Sequence, residues 1–481
     1  MARPGSPGGG VFRRRRRERS DSSCPEPPNG RTITRPFGRF RWNFPRLNRE
    51  RIPELESPVG EQFALQEFTR AFVPPGNDVS GVTTRGSEMR PRLALLALTL
   101  GTFAIGTTEF VVMGILPELA GDLDVSLSSA GSVVSAYAFG VVVGAPLLVA
   151  AFANVPRKRV LLTLLTVFVA GHVLLVVVDS YPWVLVLRFA CGLPHGAYFG
   201  VASVVGAKLV PAHRQGRAIA LVLLGLTVAN IVGVPAGTAV GQRFGWRATF
   251  LLVAVIGALA LAAVLRWVPA VGGADAPSNL RAELRAFKDP KVLLVIAVVT
   301  IGFSGLFSCF TYITPMMTEV AGYPAGAMTW LLAIFGAGFT VGNLLGGWLT
   351  DRAVLPTLYG FLTLLAAALF AFPFSADNKA AAAINLFLVG MSSFAAEPPV
   401  QKRLLDLAGS APTLVSATNQ SAFNTANALG ALIGGQVIAA GYGLTSTNWA
   451  GGVLVLIGLA LAVLSGLLDR SRRGAKPPAG V

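Results

Sequence analysis

Charged residues, cysteine and histidine are scarce in this sequence. Asp, Glu, Lys and Arg make up only 13% of the 481 residues, and there are 3 cysteines and 3 histidines. Cys24, Cys191 and Cys309 are far apart, so the sequence contains neither a zinc-binding spacing nor a disulfide framework. It also lacks the G-x-x-x-x-G-K-[ST], H-E-x-x-H and G-x-S-x-G motifs. An ATP-driven pump or a membrane hydrolase would need one of these motifs for its catalytic site, so we expect no enzyme activity and no bound cofactor.

Apolar residues and glycine are abundant instead. Hydrophobic residues make up 53% of the chain, with 54 glycines and a mean hydropathy of +0.61. A helix needs about 20 apolar residues to cross a hydrocarbon layer of roughly 30 Å, and lipid offers no partner to open strand edges. The sequence predicts an all-α integral membrane protein with twelve spans, numbered in chain order: 93–116, 130–152, 160–178, 183–206, 218–241, 248–268, 291–313, 327–349, 355–374, 380–396, 416–440 and 448–468.

Basic residues between the spans are distributed unevenly. If the end before Leu93 faces the cytoplasm, twenty basic residues lie in cytoplasmic segments after residue 88. Only Arg243, Arg247 and Lys379 lie in outer segments. This asymmetry follows the positive-inside rule and predicts an even number of spans with both termini cytoplasmic.

The first 88 residues differ from the rest in composition. They contain 16 arginines, no lysine and 10 acidic residues, and they are rich in Pro, Gly and Ser. Such a composition predicts disorder. Arg13 to Arg17 could bind anionic lipid, although the overall charge of +16 does not indicate nucleic-acid binding; alternatively, translation starts at Met89. The predicted organisation after this tail is a six-helix bundle over 89–268, a cytoplasmic linker over 269–290, a second bundle over 291–473 and a short tail over 474–481.

An internal repeat relates the two bundles. Residues 229–237 and 426–434 share the pattern A-N-x-x-G-x-x-x-G at an offset of 197, six spans apart. Thr102 and Pro117 match Thr300 and Pro315 at an offset of 198, and the G-x-x-x-G pairs of spans 2 and 8 share that offset. A parallel repeat of six spans predicts two pseudo-symmetric bundles with a central site that is exposed alternately to either side of the membrane.

The loop after span 8 carries a family motif. Residues Gly347-Trp348-Leu349-Thr350-Asp351-Arg352 resemble the G-x-x-x-D-R loop of the major facilitator superfamily. In that family the carboxylate and the arginine lock the cytoplasmic ends of neighbouring helices, so the resemblance implies a gating role for Asp351 and Arg352. The equivalent loop of the first half, 149–154, lacks the Asp-Arg pair, and only basic residues follow it.

Two further motifs resemble those of this family. Leu187 to Gly192 in span 4 is similar to its intramembrane arginine motif, and Gly225 to Gly237, which includes Gly233, Pro235 and Gly237, resembles the span 5 motif of its proton-coupled antiporters, with Gly-Val-Pro in place of Gly-Pro. Thr107 to Ala120, together with Pro194-His195-Gly196, is similar to the twelve-span drug:proton antiporters of the arabinose-efflux and chloramphenicol-efflux type. The similarity covers Met89 to Arg473 and implies the major facilitator fold, a monomer, a bacterial cytoplasmic membrane and a gating role for the residues around Pro235.

Glu109 is a single carboxylate within the apolar run Leu93 to Pro117. Burying an unpaired carboxylate in a membrane is costly, and intramembrane acids are usually proton or ion sites. The residue 198 positions later is Phe307, so the repeated fold does not require an acid at this position. We interpret Glu109 as a proton-coupling residue; the alternative is a structural carboxylate bonded by threonine or backbone neighbours.

Arg188 is the candidate partner of Glu109, and His195 is a second candidate proton-coupling residue. Counting from the outer loops at about 1.5 Å per residue places Arg188 and Glu109 at similar depths in the outer half of the membrane. An opposite charge favours an ionised carboxyl group and burial disfavours it, so a movable Arg188 could tune its protonation. His195 lies seven residues beyond Arg188 on the same helical face, where it could titrate near neutral pH or donate to the substrate. The alternatives are that Arg188 only bonds backbone carbonyls and that His195, like His172, is a packing residue.

Amide side chains predict a substrate-binding surface. Gln420, Asn424 and Asn427 form one stripe on span 11, and Asn230 is the repeat counterpart of Asn427. The stripe could line a cavity or join helices. The leading hypothesis is a proton-coupled antiporter that exports a small, largely apolar molecule such as chloramphenicol, with the proton gradient in place of a cofactor. The alternatives are a sugar or metabolite exporter, and a non-transporting receptor or scaffold.

Overall fold

The computed structural model describes residues 85–152, 154–270, 289–408 and 412–474. These residues form helices and short connections, and the described ranges contain no strand. The predicted tail up to residue 84, most of the predicted linker and the last seven residues lie outside the described ranges.

Twelve long helical segments cross the fold, as the hydropathy pattern predicts. Eleven of them are long and apolar enough to span a membrane. Span 11, the helix Pro412–Ala439, is the additional one, and its five amide side chains make it more polar than the others. The other spans, in chain order, are Pro91–Gly114, Leu127–Leu148, Arg157–Val177, Tyr181–Lys208, Ala212–Phe244, Trp246–Trp267, Pro290–Phe310, Ala325–Thr350, Val354–Ser375, Lys379–Leu407 and Ser446–Leu468.

Span 5 is interrupted where the sequence repeat places Pro235. The chain forms an α-helix over Gln215–Val228, a π-helical turn over Ala229–Gly233 and a second α-helix over Val234–Phe244. Proline has no N–H to donate and its ring clashes with the carbonyl four residues earlier, so a widened turn accommodates it. The counterpart of Pro235 in span 11 is Leu432, and that helix is uninterrupted.

Glycine contacts confirm that the two halves repeat one packing arrangement. Gly140 and Gly144 of span 2 lie against the backbone carbonyls of Phe189 and Leu193 in span 4. The residues 198 positions later do the same: Gly338 and Gly342 of span 8 lie against the carbonyls of Phe387 and Met391 in span 10. A side chain at any of these four glycines would collide with backbone, so both helix pairs depend on glycine for their close approach.

The two halves meet near one end of the helices. We call the end that carries the connections around residues 115–126 and 440–445 the distal end, and the end near Pro91 and Leu468 the terminal end. Thr314 Oγ1 donates to Met113 O at 2.7 Å, and Ser135 Oγ donates to Ala428 O at 3.0 Å. One cluster of buried apolar residues includes members of both halves, whereas a second, near the terminal end, contains first-half residues only. The described contacts therefore close the distal side of the interface.

Candidate functional site

Glu109 lies in span 1 with its side chain almost completely buried, at 2% exposure. Its Oε2 is 3.9 Å from His195 Nε2, and its Oε1 has no hydrogen-bond partner among the described residues. A buried carboxylate with so few partners is costly when ionised, because neither water nor a full set of donors replaces its hydration. The geometry therefore disfavours an ionised carboxyl group at this position.

His195 connects Glu109 to Tyr137. The Tyr137 hydroxyl and His195 Nδ1 are 3.0 Å apart, and the His195 ring stacks on Phe199 with centroids 4.9 Å apart. If the hydroxyl donates to Nδ1, the neutral imidazole carries its proton on Nε2, the nitrogen that faces Glu109. The two contacts fix the ring plane, so His195 presents one nitrogen to the carboxyl group.

Arg188 is anchored beside Glu109 by the preceding residue, Thr108. Its Nη1 donates to Thr108 Oγ1 at 3.0 Å and its Nη2 to the Thr108 carbonyl at 3.3 Å. The guanidinium also lies 4.3 Å from the centre of the Tyr137 ring, a cation–π geometry. The predicted direct pairing of Arg188 with Glu109 is not among the described contacts, since these partners hold the guanidinium one residue away. Arg188 therefore supplies positive charge near the carboxyl group without an ion pair.

His172 completes this network, although the sequence marked it only as a packing residue. Its Nδ1 is 2.7 Å from the carbonyl of Phe168, which can only accept, so Nδ1 carries the proton. Its Nε2 must then accept, and it lies 2.7 Å from Thr108 Oγ1. Thr108 consequently accepts from Arg188 and donates to His172. Sequence distance concealed this chain of bonds, because its members come from spans 1, 3 and 4.

The predicted amide residues have different environments. Asn230 Nδ2 donates to Leu226 O at 2.9 Å within span 5, and Asn424 Nδ2 donates to Gln420 O at 3.1 Å within span 11. Neither polar atom of the Asn427 side chain has a hydrogen-bond partner among the described residues, although the residue is fully buried. Of the predicted set, Asn427 is therefore the described residue with both polar side-chain atoms buried and without a hydrogen-bond partner.

Known proteins resemble this chain over most of its length. The model of the Major Facilitator Superfamily matches residues 98–435. The chain belongs to the major facilitator superfamily. It is 41% identical to the inner membrane transport protein YdhP of Escherichia coli K12, over 78% of this chain and 97% of the relative. It is also 36% identical to a chloramphenicol resistance protein of Streptomyces lividans, over 77% and 95% of the two chains.

A solved structure supports the same fold. The bacterial homologue of the human lysosomal transporter Spinster, in an inward-facing and unoccupied conformation, matches with a TM-score of 0.61 at 15% identity. The match covers 80% of this chain and 98% of that structure. At this identity the likeness shows the fold alone. The chain is thus a multi-pass membrane transporter of the major facilitator superfamily.

In the superfamily loop after span 8, the described side-chain contacts of Arg352 are with the end of span 8 itself. Arg352 is exposed, donates to the Trp348 carbonyl at 3.2 Å and lies 3.4 Å from the centre of the Trp348 ring. No ion pair is described for Asp351. Nearby, Asn419 Nδ2 donates to Glu397 Oε1 at 2.9 Å, so Glu397 is paired within the second half. The gating role of Asp351 and Arg352 stays a prediction for a state in which the terminal ends approach each other.

The span 5 glycines form close contacts with span 1. Gly233 lies against the Thr107 hydroxyl, and Gly237 lies against the Val111 side chain. Thr107 and Val111 occupy the same helix as Glu109, two residues before and after it. Spans 5 and 1 therefore pack through small residues beside the acid, in keeping with the predicted role of Gly233, Pro235 and Gly237 in helix movement.

Proposed function

We propose that this transporter is a proton-coupled antiporter that exports a small, uncharged, largely apolar molecule. The observation that carries the proposal is Glu109, a buried carboxyl group in span 1 with His195 Nε2 at 3.9 Å and the Arg188 guanidinium in the same buried cluster. Acids at such positions are rare and usually functional. We also propose that both termini are cytoplasmic, because of the positive-inside rule. The similarity to the inner membrane transport protein YdhP supports a bacterial cytoplasmic membrane as the location.

The surrounding charges suit a group that alternates between two protonation states. When Glu109 is ionised, the Arg188 charge compensates it within the same buried cluster. When Glu109 is protonated, Arg188 still has Thr108 and the Tyr137 ring as partners, so neither state leaves a guanidinium without contacts. Loss and gain of the proton therefore need no rearrangement of the arginine.

The contact pattern between the halves supports alternating access. The distal side is closed by bonds such as Thr314 to Met113, whereas the Asp351 loop at the terminal end has no described ion pair. Under the proposed orientation this arrangement is open toward the cytoplasm. Protonation of Glu109 from the outside then requires the distal contacts to separate, and release of cargo outside requires the same movement.

Purified protein in liposomes tests the coupling. An imposed pH gradient is expected to drive uptake of a cargo such as chloramphenicol by the unmodified protein, and Glu109→Gln is expected to abolish the dependence on the gradient. Glu319→Gln provides a matched control, because Glu319 is an exposed acid near the distal end. Gradient-driven transport that persists unchanged in E109Q would contradict the proton-coupling role.

The same assay separates the alternatives. Movement of sugars but not of aromatic drugs would favour the sugar exporter of the same fold. Failure of the unmodified protein to move any compound of a broad drug and sugar panel would favour a receptor or scaffold function.

A further inference from the structure

Eight phenylalanines form one connected cluster between the two halves. Each ring contacts at least one other ring of the cluster. The centroid distances are 6.4 Å for Phe110 and Phe307 and 5.2 Å for Phe307 and Phe423. Each is less than 10% exposed. The phenylalanine cluster consists of Phe110, Phe303, Phe307, Phe310, Phe335, Phe339, Phe394 and Phe423.

The cluster is asymmetric between the halves. Seven of its members belong to spans 7, 8, 10 and 11, and only Phe110 belongs to the first half, directly after Glu109. Phe307 occupies the repeat position of Glu109. The surface that faces the proton-coupling network is therefore aromatic and belongs to the second half.

A buried amide without partners borders these rings. Phe423, Asn427 and Gly430 share one face of span 11, at the spacing i, i+4, i+7. Phe423 contacts the Phe307 ring and Gly430 lies against the Phe307 Cβ, so Asn427 lies between two residues that pack on Phe307. Its Oδ1 and Nδ2 have no described hydrogen-bond partner, and leaving such atoms unpaired in an apolar site is costly. The amide is thus able to offer one donor and one acceptor to a bound molecule.

Charge is nearly absent from the same half. Among the described buried residues of the second half, Arg403 is the one charged side chain, and it donates to Ser465 near the terminal end. Glu397, three residues after Phe394, already accepts a hydrogen bond from Asn419, so an ion held against the second-half rings, away from Glu109 and Arg188, would find no unpaired opposite charge among these residues. The surroundings therefore select an uncharged molecule.

We propose that Phe307, Phe423 and Asn427 form the cargo-recognition surface, for an uncharged aromatic molecule that carries an amide or hydroxyl group. Separation of the halves breaks the Phe110–Phe307 contact and exposes the ring faces, onto which an aromatic cargo stacks while Asn427 bonds its polar group. This inference rests on the proposed export function and specifies its substrate class.

Equilibrium binding to the full-length protein in lipid nanodiscs, with no pH gradient, tests the inference. The probes are radiolabelled chloramphenicol, which combines an aromatic ring with amide and hydroxyl groups, a panel of other neutral aromatic amides, and unlabelled glucose as the non-aromatic competitor. Phe423→Leu is expected to weaken aromatic binding by roughly three- to tenfold, and Phe423→Tyr, which keeps the ring, to restore it. Asn427→Ala is expected to weaken it by about tenfold.

Phe372→Leu is the matched control, because Phe372 is a buried phenylalanine of the second half outside the cluster. Thermal unfolding of each variant identifies any that misfold. The substitutions at Phe423 and Asn427 test the aromatic contact and the amide hydrogen bond separately. The inference is overturned if F423L and N427A bind as the unmodified protein does, if glucose competes as well as chloramphenicol, or if no aromatic amide binds at all. Gradient-driven transport in E109Q would instead overturn the coupling proposal and leave these binding results intact.

Discussion

Phe307 occupies in the second half the repeat position that Glu109 occupies in the first, and Phe110, the next residue after Glu109, stacks on the Phe307 ring. One scaffold thus presents an acid from one side of the interface and an aromatic ring from the other. Because their positions are equivalent, the backbone does not dictate either side chain. At this pair of positions the halves therefore differ in side-chain chemistry.

His195 provides a first prediction about the acid. Substitution His195→Asn removes the imidazole that lies 3.9 Å from the Glu109 carboxyl group, and we expect gradient-driven transport in liposomes to fall at least about tenfold. His213→Asn is the matched control, because His213 is exposed in the short turn before span 5. Equal transport rates for the two variants would show that His195 is only a packing residue.

Thr108 provides a second prediction, about the network that holds Arg188. Thr108→Val keeps the shape of the side chain but removes the hydroxyl that accepts from Arg188 and donates to His172. We expect a loss of about 1–3 kcal/mol in the free energy of unfolding, because a buried ring nitrogen and a guanidinium lose a partner. Thermal unfolding in detergent measures the change.

The neighbouring Thr107 serves as the control for this substitution. Its hydroxyl donates only to the Phe103 carbonyl within its own helix, at 2.8 Å, so Thr107→Val is expected to be nearly neutral. If T107V destabilises the protein as much as T108V does, the stabilising role of the network is refuted.

The sequence predicted the architecture well and the contacts of the site only in outline. The twelve spans follow from the length of the apolar runs, and the repeat follows from matching residues at a constant offset, because both patterns can be seen in the sequence without knowledge of the fold. The nearness of Glu109 and Arg188 follows from their depth, and that of His195 and Arg188 from their shared helical face. The roles of Thr108 and His172 do not, because a hydroxyl and a neutral imidazole in an apolar helix give no signal until the fold brings them within hydrogen-bond distance.

The paired glycines provide a third prediction, which tests the repeat. Gly140→Ala and Gly338→Ala each place a methyl group against a backbone carbonyl of the partner helix, Phe189 and Phe387 respectively. We expect both to destabilise the protein, each by about 1–3 kcal/mol, because backbone cannot rearrange as a flexible side chain does.

Gly200 and Gly360 are the controls for these substitutions, because nothing lies within 4 Å of a methyl group added at either position. Their replacement by alanine is expected to be neutral or slightly stabilising, since alanine favours the helix. Thermal unfolding of the four variants checks the pattern. A large effect at only one of Gly140 and Gly338 would contradict the equivalence of the two helix pairs.

Asp122, at the distal end outside the membrane spans, provides a prediction about pH. Trp246 Nε1 donates to its Oδ2 at 2.8 Å, and Arg247 pairs with the same carboxylate while bonding Asp179 at 2.6 Å. The hydrogen bond from Trp246, followed by that from Arg247, lowers the pKa of Asp122 from its ordinary value of 3.8. A carboxyl group whose pKa is lower in the folded state stabilises the fold above its ordinary pKa, and this stabilisation is lost as the pH falls through the lowered value.

Asp122→Asn removes this contribution, so the unfolding temperatures of D122N and the unmodified protein are expected to differ most near neutral pH and to converge as the pH falls below about 4. The difference is expected to be small, because the Asp122 side chain is 47% exposed and solvent screens its ion pair. Thermal unfolding from pH 3 to 7 measures it, with Asp377→Asn, an exposed acid between spans 9 and 10, as the control. A difference that stays constant over this range would mean that Asp122 acts through its shape and neutral hydrogen bonds, and that the contact with Arg247 contributes no charge-dependent stability.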